Sequence, residues 1–425
     1  MFNIDEFKNF IITHYDTNKN GEIDLNDNLP SWMKCLFNSD NYFNYEGAYN
    51  VLIKNNIKSL NKSIFDNIFI ETVNEKDDKP FDITSIKHKI SLKFLKWTAY
   101  DGKIGHFKQG TSGDCYFLSS LQAISNTKGG QKIIADSIKK VNNTYKVQFA
   151  GAIKVKNNIE RQIRNKQIRG KCYISGNYTI TPNEIKIAQE NNKKTGKYST
   201  GDLDVLIFEL ALEKYRKELK LTRDSSPELK NLSPQSAEYG GMGNSYNEAM
   251  NGGHGFDAMF LLTGEKSLYW STNQDKNKLK PYVKGKYQQI TRKDFISGNY
   301  SIEHRKVYEA TAETYGTQTG AKKRHELLTS LEGQGDKYGI TVGVRYKTEF
   351  SEGWHEITVE KVTSEYVYIS NPHDNNIIEI VPRNEFEQMI DEISACPVKK
   401  KDIHNDVYNV IQQLFQQHNL RQTDK

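Results

Sequence analysis

Cys115, His355 and Asn371 have the types and spacing that acyl-transfer chemistry requires. A thiol attacks a carbonyl carbon as its thiolate, and the first turn of a helix favours that anion because its unpaired N–H groups concentrate positive potential. Cys115 is predicted to open such a helix. A glycine-punctuated stretch over 102–113 runs into Cys115-Tyr116-Phe117-Leu118-Ser119-Ser120-Leu121-Gln122-Ala123-Ile124, where Phe117, Leu118, Leu121 and Ile124 recur with helical period. Gly113 lets the chain turn sharply, and the Asp114 carboxylate is placed to cap or neighbour the helix start.

A catalytic thiol also needs a histidine to take its proton and a third group to hold that histidine. Two alternating runs, 355–362 and 366–370, read as strands joined at Thr363-Ser364-Glu365. His355 begins the first and Asn371 lies just past the second, so residues 16 apart (371 − 355 = 16) meet across a hairpin. Taken singly, a buried structural cysteine, a half-buried strand histidine and a turn-forming Asn371-Pro372 are the commoner readings; their combination favours catalysis.

The blocks around these residues resemble the calpain family of cysteine proteases. Gln109-Gly110-Thr111-Ser112-Gly113-Asp114-Cys115-Tyr116-Phe117-Leu118 is similar to the family's Q-G-x-x-G-D-C-W-x-L. Leu210-Ala211-Leu212-Glu213-Lys214-Tyr215 resembles its L-x-E-K-A-Y helix, and Asn251-Gly252-Gly253-His254-Gly255-Phe256 with Leu262-Thr263-Gly264 resembles its Gly-Gly loop and closing T-G-G. His355 and Asn371-Pro372 match the family histidine and its N-P-W-G, which completes blocks in family order over about 95–396.

The resemblance implies an α+β, papain-like core, with a helical Cys subdomain at 95–266 and a β-rich His/Asn subdomain at 267–396. It implies hydrolysis of protein or peptide substrates through an acyl-enzyme, with Cys115 as nucleophile, His355 as base and Asn371 orienting the imidazole. Gln109 would supply a side-chain N–H to the oxyanion hole; such donors are worth about 2.7–4 kcal/mol in comparable sites. Gly264 and Trp354 would line the substrate channel, which Trp354, standing where the family has Gly, would narrow. His373 stands where the family has a Trp that shields the Asn–His bond, and His106 and His254 stand where it has acidic calcium ligands. Imidazole is a poor calcium ligand, so the internal calcium site is expected to be absent. The alternatives kept open are a catalytically impaired binding protein, and acyl transfer or isopeptide cleavage by the same triad.

A calcium loop is expected elsewhere. Asp16-Thr17-Asn18-Lys19-Asn20-Gly21-Glu22-Ile23-Asp24-Leu25-Asn26-Asp27 has oxygen-bearing side chains at EF-hand positions 1, 3, 5, 9 and 12, Gly at 6 and Ile at 8. The expected ligands are Asp16, Asn18, Asn20, Glu22 and Asp27, the last a shorter carboxylate than the usual Glu. No partner loop is visible, and a polar turn between helices is the competing reading.

The frame around these sites is mixed. Residues 1–90 read as mostly helical, from Phe7, Phe10 and Ile11 to Ile64, Phe65 and Ile68, with a linker at 74–79. Strands are predicted over 145–149, 171–179 and 340–344, a helix from Leu203 to about Leu219, and polar stretches at 191–201 and 222–243. In 397–425, Val407, Val410, Ile411, Leu414 and Phe415 form the apolar stripe of a helix that docks on the body or a partner.

Composition bounds the remaining classes. With 425 residues, 24 Tyr and 19 Phe, the chain has material for a sizeable core, and a net charge of +6 spread over 59 basic and 53 acidic residues argues against a nucleic-acid partner. Four dispersed cysteines with no C-x-x-C suit reduced thiols. No basic-then-apolar leader and no run of about 20 apolar residues occurs, so a cytoplasmic protein, or one exported without a conventional signal peptide, is expected, with no membrane span. His355-Glu356 and His325-Glu326 lack the second His of H-E-x-x-H, and no phosphate-binding G-x-x-x-x-G-K-[ST] occurs. The oligomeric state is left open.

Overall fold

A computed structural model describes residues 3–24, 27, 29, 33, 43, 45–54, 60, 68–72, 90–94, 97–230, 252–272, 279–302, 319–347, 352–398 and 405–420. The expected linker at 74–79 and the stretch 231–250 lie outside them. The architecture is α+β, and the chain divides into two compact units, Met1–Thr98 with Asn183–Gly201 and Ala99–Pro182 with Asp202–Lys425. Neither unit ends near 266, and helices from before that position pack directly on strands from after it.

In the first unit, helix α1 (Ile4–Tyr15) opens with a capping box, Asn3 accepting from the main-chain N–H of Glu6 while the Glu6 carboxylate accepts from that of Asn3. Phe7, Ile11 and Tyr15 recur every fourth residue and bury against Ala48 and Leu52 of α2 (Tyr45–Lys54), with Ile23, Leu29 and Met33. Each such side chain contributes about 1.5–3 kcal/mol of burial. The helical expectation fails at Ile68: β1 (Ile68–Thr72) pairs antiparallel with β2 (Ile90–Phe94). A partner strand distant in sequence decides this conformation, and local periodicity does not register it.

The second unit begins with α3 (Cys115–Ser125) and α4 (Gly130–Ser137), then the antiparallel sheet β3 (Ile138–Val141), β4 (Thr144–Gln148), β5 (Asn177–Ile180), with α5 (Ala150–Arg164) between its last two strands. The strand expected over 171–179 is present only from Asn177. Before it, the N–H groups of Lys171, Tyr173 and Ser175 bond instead to Ser225, Thr222 and Glu218 side chains. These acceptors lie on and just past a helix of 22 residues. Helix α6 (Pro182–Thr195), which from Asn183 on belongs to the first unit, runs into the polar stretch at 191–201 expected to be irregular; in the second unit α7 (Leu203–Asp224) and α8 (Pro227–Lys230) follow. Helix α9 (Gly255–Thr263) completes this part.

A seven-stranded antiparallel sheet has the order β6 (Leu268–Ser271), β12 (Ile390–Pro397), β8 (Tyr338–Lys347), β9 (Glu352–Val362), β10 (Tyr366–Asn371), β11 (Asp374–Pro382), β7 (Gln288–Thr291). Helices α10 (Arg292–Ser297), α11 (Thr319–Ser330), α12 (Arg383–Phe386) and α13 (Asn405–Leu420) complete the unit. Strand β8 shows how two faces are used. Tyr338, Ile340, Val342 and Val344 join one apolar core with Leu327 and Leu328 of α11 and Tyr408, Ile411 and Phe415 of α13, with Val407 and Leu414 partly buried against it. The C-terminal helix thus docks on the body, but Val410 of the expected stripe is 56% exposed and Tyr408 is buried in its stead. The alternate residues are Gly339, Thr341 and Gly343, and a Cβ on Gly339 would lie 2.9 Å from Ile124 Cδ1. Glycine there lets α3 approach the sheet backbone. Among the described residues, no helix is long and apolar enough to cross a membrane.

Candidate active site

Helix α3 and strand β9 are stitched together one turn beyond Cys115. Ser119 Oγ donates to Glu356 O at 2.8 Å, and Thr358 Oγ1 donates to Ser119 O at 2.9 Å. This clamp sets the start of α3 beside the residue that follows His355: the main-chain N–H groups of Glu356 and Tyr116 both favour the Cys115 thiolate. Burial outweighs them and, with the nearby Glu356 and Asp114 carboxyls, pushes the thiol up to about 12. Cys115 is partly exposed, and Cys115, Cys172 and Cys396 are free thiols.

His355 and Asn371 meet as expected. His355 Nε2 and Asn371 Oδ1 are 2.9 Å apart in a buried contact, which makes Nε2 the protonated nitrogen and leaves Nδ1 as acceptor. The strand begins at Glu352, three residues before His355, and a register shift between Tyr368 and Ile369 brings Ser370 opposite Thr358. Asn371 thereby falls on the same face as His355. Burial lowers the imidazole to about 4, against the raising effect of Asn371, and Lys284 lowers it further. Among the described residues, no hydrogen bond joins Cys115 Sγ to His355; burial raises the thiol and lowers the imidazole, and both shifts disfavour their charged forms.

Two ring systems cover His355. The His373 ring stacks on it and Tyr346 packs at 4.9 Å between centroids. Behind them, the buried Tyr282 hydroxyl faces Asn371 and Glu379. Tyr346 and Tyr282 approach from separate segments and leave no local signal in the sequence; His373, adjacent to Asn371-Pro372, is the one neighbour that chain position offers.

Gln109 is brought to the site through its main chain, whose N–H donates to Pro372 O at 2.8 Å. Its side chain departs from the expected role. Nε2 donates to Ser112 O at 2.8 Å and to Asp114 Oδ1 at 3.1 Å, which uses both amide protons, and Oε1 is buried without a partner. Reversing the amide would face oxygen to two acceptors. Asp114 makes no side-chain cap to α3; it is fully buried and faces Glu209, and burial raises it to about 6.

The expected channel residues separate. Trp354 is 50% exposed beside His355 and pairs with Arg345 across the strands. Gly264 terminates α9 with φ +70°, and its carbonyl accepts from Lys154. The other end of α9 is the one held to α3, where Ser120 Oγ donates to Gly255 O at 3.1 Å. Nine residues of helix, on the order of 13 Å, separate Gly264 from that end. The glycines that flank Cys115 are instead Gly252, whose N–H donates to Gly113 O at 2.8 Å, and Gly253, where a Cβ would sit 2.5 Å from the Tyr116 ring. Arg216 fixes that ring by donating to Tyr116 Oη at 2.8 Å and to Gly252 O at 3.2 Å.

His106 and His254 each face a carboxylate on a different strand. His106 Nε2 lies 2.8 Å from Asp374 Oδ1, and Lys108 is 2.8 Å from Oδ2. Burial opposes ionisation of Asp374, but these two partners hold it well below the usual carboxylate range. His254 Nδ1 lies 2.9 Å from Glu392, which also accepts from Tyr269 Oη at 2.9 Å.

The loop 16–27, expected to take calcium, belongs to the first unit, and among the described residues no group of three or more His, Cys, Asp or Glu side chains is gathered as a metal site. Asp16 accepts from the N–H groups of Asn20 and Gly21, while the Asn18 and Asn20 amides both reach Asp24 Oδ2, so these four side chains gather together. Asp16, Asn18, Asn20 and Asp24, with the Glu22 position between them, would hold the ion. Asp27 does not fit a bidentate position 12: Oδ1 accepts from Thr17 N at 2.7 Å and Oδ2 from Asp24 N at 2.9 Å.

No protein-family model matches the chain, and no curated protein matches it.

Proposed function

We propose that this chain is a papain-like cysteine endopeptidase of calpain type. The observation that carries the reading is the buried His355–Asn371 bond at 2.9 Å, which fixes the tautomer a thiol's base requires, on the strand clamped to the Cys115 helix. In this reading substrate binding draws His355 Nδ1 and Cys115 Sγ together. The thiol proton passes to Nδ1 as sulfur bonds to the peptide carbonyl carbon. His355 then returns the proton to the leaving amine, and water hydrolyses the thioester. The unpaired N–H groups at the start of α3 serve the oxyanion, with Gln109 contributing if its amide turns outward. Calcium belongs to the reading as a ligand of the loop 16–27, with no step of the chemistry assigned to it.

The test is cleavage of denatured casein by the full chain and by Cys115→Ala, each with and without calcium. Cleavage that survives Cys115→Ala, or its absence in both under reducing conditions, sinks the reading. A second reading, a catalytically impaired binding protein, is favoured by the raised thiol and by the inward Gln109 amide. An epoxide that traps activated thiols separates the two, since labelling at Cys115 but not Cys172 requires a working dyad.

A further inference from the structure

Helix α5 and the loop after it carry a charge pattern that the protease reading does not use. Residues 154–171 contain seven basic side chains and a single acid, Glu160. Gly151, Ala152, Val155 and Ile159 bury the inner face of α5, which turns the basic positions outward. Lys154, Asn158 and Arg161 have the i, i+4, i+7 spacing of one stripe, and that stripe lines a cleft of about 470 Å³. Lys266, after α9, and Tyr408 and Gln412 of α13 line it too.

The charge in the cleft is unbalanced. Its carboxylate, Glu265, is 3.8 Å from Lys154. Arg161 bonds to the neutral Asn158 at 2.8 Å, and neither Arg161 nor Lys266 has a carboxylate partner among the described residues. Two cations thus converge on a concavity of ligand size, with amide and phenol groups available for hydrogen bonds.

We propose that this cleft binds a compact phosphorylated anion. A flat anionic surface would meet the outward side chains of α5 but not groups gathered in a recess, whereas a small polyphosphate reaches Lys154, Arg161 and Lys266 together. The bound anion bridges α5, the segment after α9 and α13. Because Tyr408, Ile411 and Phe415 of α13 already enter the sheet core, the anion reinforces the docking of the C-terminal helix. The cleft adjoins the Gly264 end of α9, the end opposite the one held to the Cys115 helix, so the proposal stands apart from the proteolytic reading.

The test is calorimetric titration of the full chain with inorganic tripolyphosphate. Saturable binding is expected, weakening as salt rises, with a higher melting temperature in its presence. Arg161→Glu with Lys266→Glu is expected to raise Kd by about tenfold or more, as loss of charge-assisted bonds requires. Lys139→Glu with Lys146→Glu, an equal charge change on exposed strand positions, is expected to leave Kd within about twofold. The proposal is overturned if tripolyphosphate does not bind, if both double variants weaken binding equally, or if only anionic vesicles or RNA bind. Melting curves of the variants identify any that are unfolded, and Arg161→Gln with Lys266→Gln then replaces the reversal.

Discussion

The imidazole of His373 lies over that of His355, with ring centroids 4.6 Å apart and planes 26° from parallel. In the calpain-type reading proposed above, a tryptophan would be expected after Asn-Pro to shield the histidine. Here a histidine at that chain position covers the same ring. In the proposed mechanism, a neutral face above His355 would favour the imidazolium that thiol activation forms, while a protonated His373 would oppose it.

His373→Ala should therefore lower kcat/KM by about tenfold, with His373→Trp restoring most of the loss. Peptide hydrolysis by the three forms checks this. Equal rates for His373→Ala and the parent would remove His373 from the site's workings.

Asn371→Ala takes the acceptor from His355 Nε2 and frees the ring to choose the wrong tautomer. A loss of about 100-fold or more in kcat/KM is expected, within the range that acid–base groups contribute. Epoxide labelling of Cys115 should slow in step with hydrolysis, and labelling at the parent rate would contradict the assignment.

Acid stability follows from the same pair. Burial lowers His355 to about 4 and His373 to about 3, from an ordinary 6.5. Between those values the unfolded chain binds protons that the folded chain does not. Their stabilising contribution is therefore complete above about pH 6.5 and is lost as pH falls toward the folded values, at about 1.4 kcal/mol per unit of separation. Melting temperature should drop between about pH 7 and 4.5, and His373→Phe should shallow that drop. Parallel curves for parent and variant would refute it.

Calcium should raise the melting temperature of the parent and leave that of Asp16→Ala unchanged, since Asp16 organises the Asn20 and Gly21 N–H groups. Asp27→Ala should destabilise the loop even without calcium, because it strips acceptors from Thr17 and Asp24. Calorimetry on the full chain separates the two effects.

Gly255→Ala should destabilise the core by about 1–3 kcal/mol or prevent folding. A Cβ there would collide with Thr341 Oγ1 of β8 and Glu356 Oε1 of β9, where α9 packs on the sheet. A denaturant midpoint within error of the parent would show that α9 can shift.

The sequence by itself determined the local features. The helix at Cys115, the strands around 355–362 and 366–370, and the C-terminal stripe follow from periodicities of 3.6 and 2 over short windows. The pairing of His355 with Asn371 was legible for the same reason, because a hairpin makes their contact nearly local. Tertiary structure decided everything that depends on distant partners. It placed Tyr346 and Tyr282 around the imidazole, turned the Gln109 amide toward Asp114, and set Gly252 and Gly253, rather than Gly264, beside Cys115. It also made Ile68–Thr72 a strand and packed helices from before residue 266 on strands from after it. These outcomes turn on close packing between segments far apart in the chain, and no window of neighbouring residues encodes which backbone will press against a glycine or which acceptor will capture an amide.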